Sequence, residues 1–131
     1  MTQTVLYDRK ANPDYIPRVA AVHDLCGYGK CSLGIAIPVV SAGGCDVCPV
    51  PTGLFSSHTA FPGWYMHDTT DILPDYLAAW QNIGVEIDAI YSGFLGAPEQ
   101  VDIIRSLYER YPKALRVVDP VMADHGKVYP T

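Results

Sequence analysis

A chain of 131 residues that is 49% hydrophobic and 18% charged has the composition of one ordinary globular domain, not of a disordered segment. Its net charge is −5 and its nine Lys and Arg residues form no stripe. That excludes a nucleic-acid backbone binder, whose affinity rests on clustered cations.

The longest apolar run, Leu33 to Val40, is broken by Gly34 and Pro38 and is too short to span a bilayer. Thr2 to Tyr15 mixes charges and a proline with a short apolar stretch, unlike a signal peptide. A cytoplasmic protein is expected, with no nucleic-acid or membrane partner and with residues 1–17 as an N-terminal extension.

Arg18 to His23, a short apolar run after Pro17, predicts a buried strand of a parallel sheet, where both faces are covered and alternation disappears. Asp24 to Gly29 reads as a turn and Lys30 to Ala42 as a helix closed by Gly43-Gly44, with Pro38 predicting a kink or restart. Asp46 to Val50 returns as a strand. Pro51 to Trp64, rich in proline, glycine and hydroxyl residues, reads as an extended loop or short hairpin over one end of the sheet.

Thr69 to Asn82 predicts a helix with Ile72, Tyr76, Leu77 and Trp80 on one face. Ile87 to Tyr91 follows as a strand and Ala97 to Tyr111 as a helix marked by Ile103, Leu107 and Tyr111. Leu115 to Val118 is the last core strand. This alternation implies a doubly wound, mostly parallel α/β sheet flanked by helices. Ligands of such sheets sit outside the carboxyl ends of the strands. The rule points to Asp24–Gly29, Thr52–Thr59, Ser92–Gly96 and Asp119–Gly126.

Each candidate has a plain reading beside the functional one. Asp24-Leu25-Cys26-Gly27-Tyr28-Gly29-Lys30-Cys31 fails as a Walker A loop. Asp24 stands where glycine is needed, and Cys31 where Ser or Thr would meet magnesium. Asp24 either caps the following turn or accepts a hydrogen bond from a ligand hydroxyl. His58, among Ser56, Ser57 and Thr59, is either a surface residue or part of a site.

Asp119 and Asp124, five residues apart after a core strand, suit magnesium held largely through water, or a cation near phosphates. Asp119 abuts apolar Val117-Val118, so its carboxylate is expected to be paired or coordinating. Cys45 and Cys48 have CxxC spacing. On a strand, however, residues three apart face opposite ways, so reduced thiols are expected there instead of a zinc pair.

Taken together, His23 to Leu33, Val50-Pro51-Thr52 with Phe55-Ser56-Ser57-His58-Thr59, Tyr91 to Gly96 with Glu99-Gln100, and Val118 to Asp124 resemble pyridoxal and pyridoxamine kinases, from about Arg18 to Tyr129. The resemblance implies a ribokinase-like fold and transfer of the γ-phosphoryl of ATP, with Mg2+, to the 5′-hydroxyl of pyridoxal, pyridoxamine or pyridoxine. It implies that Asp24 contacts ring substituents, Thr52 hydrogen-bonds the ring, His58 lines or covers the pocket and Phe94 lies beside the substrate. It places Asp119 and Asp124 near the phosphates and metal.

Cys26 stands where relatives often have Ser, and Lys30 where they often have Arg. Family members continue into a Gly-Thr-Gly-Asp loop carrying the catalytic base. That motif does not occur here, so the chain is expected to be the N-terminal part of a longer kinase and inactive alone. A hydroxymethylpyrimidine kinase and a non-catalytic binding module are the alternatives. Homodimerisation or other self-association is expected through Leu115 to Val118 and Lys127 to Tyr129.

Overall fold

Strand β1 spans Arg18–Tyr28 in the computed structural model of the protein, which describes residues 13–129. Residues 1–12 of the expected N-terminal extension lie outside the described residues. Within 13–17, the Tyr15 hydroxyl donates to the Asp88 carboxylate at 2.7 Å. Ala20, Ala21 and Val22 are fully buried, which is why β1 shows no alternation: both of its faces carry helices.

The chain continues as α1 (Leu33–Ala42), β2 (Asp46–Ser57), β3 (Met66–Asp68), α2 (Leu73–Asn82), β4 (Ala89–Ser92), α3 (Glu99–Arg110) and β5 (Leu115–Val118). A small hairpin closes the described chain, with β6 (Ala123–Asp124) and β7 (Lys127–Val128).

The sheet order is β3-β2-β1-β4-β5. All its pairings are parallel except that of β3, which runs antiparallel along β2. One face packs Ala20, Val22, Val50 and Ile90 against Leu73 and Leu77 of α2 and Ile104 and Leu107 of α3. The other packs Ala21 against Leu33 and Ala36 of α1. Helices on opposite faces make the sheet doubly wound, and its order reverses between β1 and β4. Such a reversal opens a crevice at the carboxyl ends of the two strands.

Several boundaries differ from those expected. The Asp24–Gly29 segment is not a turn, because β1 runs on to Tyr28 alongside β2. The first half of the expected Pro51–Trp64 loop is strand as well. Pro49 and Pro51 are tolerated because they have the same parity on β2 and turn away from β1. Their carbonyls accept instead from the hydroxyls of Tyr76 and Thr69, both at 2.7 Å.

Helix α1 starts at Leu33, after Ser32 with φ 48°, and runs through Pro38 as one element. It ends as expected, with Gly44 at φ 86° donating its N–H to the Ser41 carbonyl. Helix α2 begins at Leu73, with Pro74 in its first turn, and buries Leu73 and Leu77 while Ile72 and Tyr76 stay exposed. Helix α3 buries Gln100, Ile104 and Leu107; Ile103 and Tyr111 flank that core half-buried.

Candidate functional site: a cavity at the sheet reversal

The carboxyl ends of β1 and β2 and the loop after β4 enclose a cavity of about 140 Å³, lined by Asp24, Cys26, Cys31, Phe55, His58 and Phe94 among others. Between His23 and Leu25 the pairing slips by one residue, because β2 advances from Pro51 to Leu54 over the same stretch. A bulge of this kind re-aims side chains beside a site. Here it lies opposite Asp24, which is only 6% exposed.

His58 is held by its own loop. Its N–H donates to the Tyr28 carbonyl at 2.8 Å, and its Nδ1 accepts the Ala60 N–H at 3.0 Å. Accepting at Nδ1 leaves the neutral ring's proton on Nε2, a donor. Gly29, at φ +90°, packs so near that a Cβ would stand 2.9 Å from that of His58. Phe94 meets Phe55 edge to face, with ring centroids 5.7 Å apart.

Asp24, His58 and Phe94 thus share one cavity; Thr52 requires a correction. Its side chain is fully buried, and its hydroxyl donates to the Phe94 carbonyl at 2.6 Å instead of opening onto the cavity. Thr52 therefore ties β2 to the loop that carries Phe94.

Gln100 reinforces the same joint. Its Oε1 accepts the Gly96 N–H at 2.8 Å, while its Nε2 donates to the Thr52 carbonyl at 2.8 Å and to the Thr70 hydroxyl at 3.0 Å. A fully buried Gln at the start of a helix was not legible as a clamp. Nor was Asp68, whose carboxyl is held below the usual range first by the Thr70 hydroxyl.

Asp119 and Asp124 lie elsewhere. Asp119 borders an adjoining cavity of about 320 Å³ with His23 and Tyr91, which shares Ser32 and Val121 with the first. It is exposed, not buried, and makes no side-chain hydrogen bond or ion pair among the described residues, so of the two expected states, paired or coordinating, the first is not found. The reason is its position just beyond β5, at the rim of the sheet. Asp124 is also exposed and accepts the His125 N–H at 2.8 Å in the β6–β7 turn.

Cys45 and Cys48 are half-buried and form no disulfide. The thiols that do meet are Cys26 and Cys31, a pairing sequence spacing did not suggest. Cys26 is pushed upward in pKa by burial, and further by Cys31 and Asp24. His23 is lowered by burial, with Asp24 and Asp119 opposing the shift.

No protein-family model matches the chain. Pyridoxal kinase PdxY of Pseudomonas putida is 32% identical over 123 residues, covering 87% of this chain and 42% of the relative. Among solved structures, a Bacteroides thetaiotaomicron protein named as a candidate phosphomethylpyrimidine kinase, in a crystal form with pyridoxal, is 42% identical. It superposes with a TM-score of 0.85 over 89% of this chain and 42% of its own.

Pyridoxal kinase from Lactobacillus plantarum is 32% identical, with a TM-score of 0.82, over 88% of this chain and 42% of its own. The chain is a pyridoxal kinase-like stretch of the ribokinase superfamily. It spans about a third to two fifths of the length of the curated relatives it matches. In this pyridoxal kinase-like chain the ribokinase-like sheet delivers Asp24, His58 and Phe94 to the cavity at its reversal point. No helix among the described residues is long and apolar enough to cross a membrane.

Proposed function

We propose that the chain forms the vitamer-binding part of an ATP-dependent kinase that phosphorylates the 5′-hydroxyl of pyridoxal, pyridoxamine or pyridoxine. The observation that supports this most is the meeting of Asp24, His58 and Phe94 in one cavity. A flat, polar pyridine ring suits it: Phe94 and Phe55 offer ring faces and edges, while Asp24 accepts from ring hydroxyls and the His58 Nε2–H donates. Thr52 acts one step back, fixing the loop of Phe94.

Phosphoryl transfer depends on positioning and on stabilising charge at the phosphates. Asp119 and Asp124 are the acidic groups assigned to that end. Their exposed carboxylates, with no third acidic or histidine donor grouped with either among the described residues, fit magnesium held mostly through water and shared with ATP phosphates. The ion, when bound, would neutralise phosphate charge. The 131 residues contain no Gly-Thr-Gly-Asp loop to supply the base, so alone they bind a vitamer without turnover. A cytoplasmic enzyme is the setting this reading implies.

Titration of the chain with pyridoxal and with hydroxymethylpyrimidine, alongside phosphorylation of both by the longer protein, tests the proposal. Preference for pyridoxal in binding and turnover is expected. Preference for the pyrimidine would instead favour the second reading, which rests on the name of the 42% identical Bacteroides neighbour. Binding of neither would favour a non-catalytic module.

A further inference from the structure

The end of β1 and the segment before α1 bring two thiols and a buried carboxylate together. Cys31 Sγ lies 3.1 Å from Cys26 Sγ, and Cys26 Sγ lies 3.5 Å from Asp24 Oδ2. The three donor atoms fall within 4.8 Å of one another, and no other group of three or more His, Cys, Asp or Glu does so among the described residues. Asp24 is nine-tenths buried, yet the Cys26 thiol is its one side-chain hydrogen-bond partner among the described residues. No Lys or Arg lines the cavity. A carboxylate in that position is costly without a cation or several donors to compensate it.

We propose that Asp24, Cys26 and Cys31 bind a thiophilic divalent cation, with zinc as the fitting chemistry. Two sulfurs and one carboxylate, with a fourth position facing a cavity, match a zinc site that keeps an exchangeable ligand. Zn–S bonds near 2.3 Å and a Zn–O bond near 2.1 Å, arranged tetrahedrally, set the sulfurs about 3.8 Å apart and sulfur and oxygen about 3.6 Å apart.

The 3.5 Å sulfur–oxygen distance already meets this, and the sulfurs need to part by only about 0.7 Å. A disulfide needs the opposite movement, to about 2.05 Å, and leaves Asp24 with no countercharge. Magnesium and calcium take all-oxygen donor sets and do not suit two thiolates. On binding, two S–H bonds break, two metal–sulfur bonds form and two protons pass to solvent, so uptake weakens as pH falls.

The site does not depend on the kinase reading, because what is measured is metal uptake and not phosphorylation. Where both hold, the metal and the ring compete for Asp24.

The experiment titrates cobalt(II), a spectroscopic substitute for zinc, into the reduced chain under argon and then displaces it with zinc. One equivalent should bind, with a thiolate-to-cobalt absorption band that zinc abolishes. Cys26→Ser, Cys31→Ser and Asp24→Asn should each weaken binding by roughly 10-fold or more, since even a lost partner of a ligand costs that much. Cys45→Ser with Cys48→Ser should leave it unchanged.

Absence of the band, or a band that survives Cys26→Ser and is lost with Cys45 and Cys48, overturns the proposal. So does a chain that forms a Cys26–Cys31 disulfide in air and, once reduced, takes up no cobalt. Where a variant loses its circular-dichroism signature, alkylation of the unaltered chain decides. Zinc must shield Cys26 and Cys31 from iodoacetamide but not Cys45 and Cys48, and no shielding counts against the site.

Discussion

Gly93 lies so close to His23 that a Cβ at position 93 would stand 2.3 Å from His23 Nδ1. The contact joins the end of β4 to β1, where the Gly93 N–H also donates to the Val22 carbonyl at 2.9 Å. His23 is 5% exposed and packs edge-on to Tyr91 with centroids 4.3 Å apart, so a shift of its ring disturbs that packing. Gly93→Ala should therefore destabilise the fold by about 1–3 kcal/mol, the usual cost of overpacking. Urea unfolding of Gly93→Ala, His23→Ala and the double variant checks it. The double variant should recover part of the loss, because the smaller residue at 23 makes room.

His23 also predicts a pH dependence. Burial lowers its pKa more than Asp24 and Asp119 raise it, so the folded value lies below the unfolded one of about 6.5. As pH falls, the unfolded chain takes up the proton first. The contribution to stability is complete above about pH 6.5 and declines as pH drops through the folded value. The urea midpoint should fall between about pH 7 and pH 5, and His23→Gln should flatten that fall. An equal fall in His23→Gln would assign the dependence to other groups.

Thr52→Val removes the hydroxyl that donates to the Phe94 carbonyl while keeping the branched shape. The loss of this part-buried hydrogen bond should cost about 1 kcal/mol of stability. In the kinase proposed above, the freed Phe94 loop should raise KM for the vitamer more than it lowers kcat. Thr52→Ser should restore both, which separates a lost hydrogen bond from lost volume.

How far the sequence reaches is clearest along β1 and β2. Hydrophobic runs located the strands, and their polar ends marked the stretches that hold Asp24 and His58; Phe94 was implied by the family resemblance, and all three share a cavity. The extension of β2 beyond Val50, through Pro51 and Gly53, was hidden because proline and glycine read as strand breakers. What accommodates the prolines is non-local: the hydroxyls of Thr69 and Tyr76 reach their carbonyls from 18 and 27 residues away.

The same holds for Thr52. Its place in a strand-end motif is visible, but its fixing of Phe94 depends on a contact 42 residues distant. Cys26 and Cys31 stand five residues apart, and the continuation of β1 past Asp24 to Tyr28, followed by Gly29 at φ 90°, lies between them and brings their sulfurs together.

In the kinase proposed above, Asp119→Ala should raise the barrier by about 2–4 kcal/mol, roughly 30- to 900-fold in turnover, with pyridoxal affinity nearly unchanged. Asp119 does not line the cavity that holds Asp24 and His58 but an adjoining one that shares Ser32 and Val121 with it, and in the proposed reading its loss acts mainly at the phosphate end. Unchanged turnover with weakened pyridoxal binding would place it with the ring instead. Initial rates with ATP and vitamer varied separately make the distinction.

Self-association should run through β5. This strand ends the sheet order, and no strand pairs with its outer side among the described residues. All four of its residues are exposed. Val117, Val118, Met122 and Val128 leave apolar surface nearby, with Val128 82% exposed. A flat apolar edge with open N–H and C=O groups is a template for another strand, and apolar patches mark association sites. The net charge of −5 opposes this only weakly at physiological salt, where exposed charges are screened beyond about 8 Å. Light scattering across a dilution series should show the 131-residue chain passing from dimer to monomer. Val117→Lys places a charge on the edge and should shift the chain to monomer without loss of helical signal. A chain that stays monomeric at every concentration and binds no hydrophobic dye would show that the edge is protected in another way.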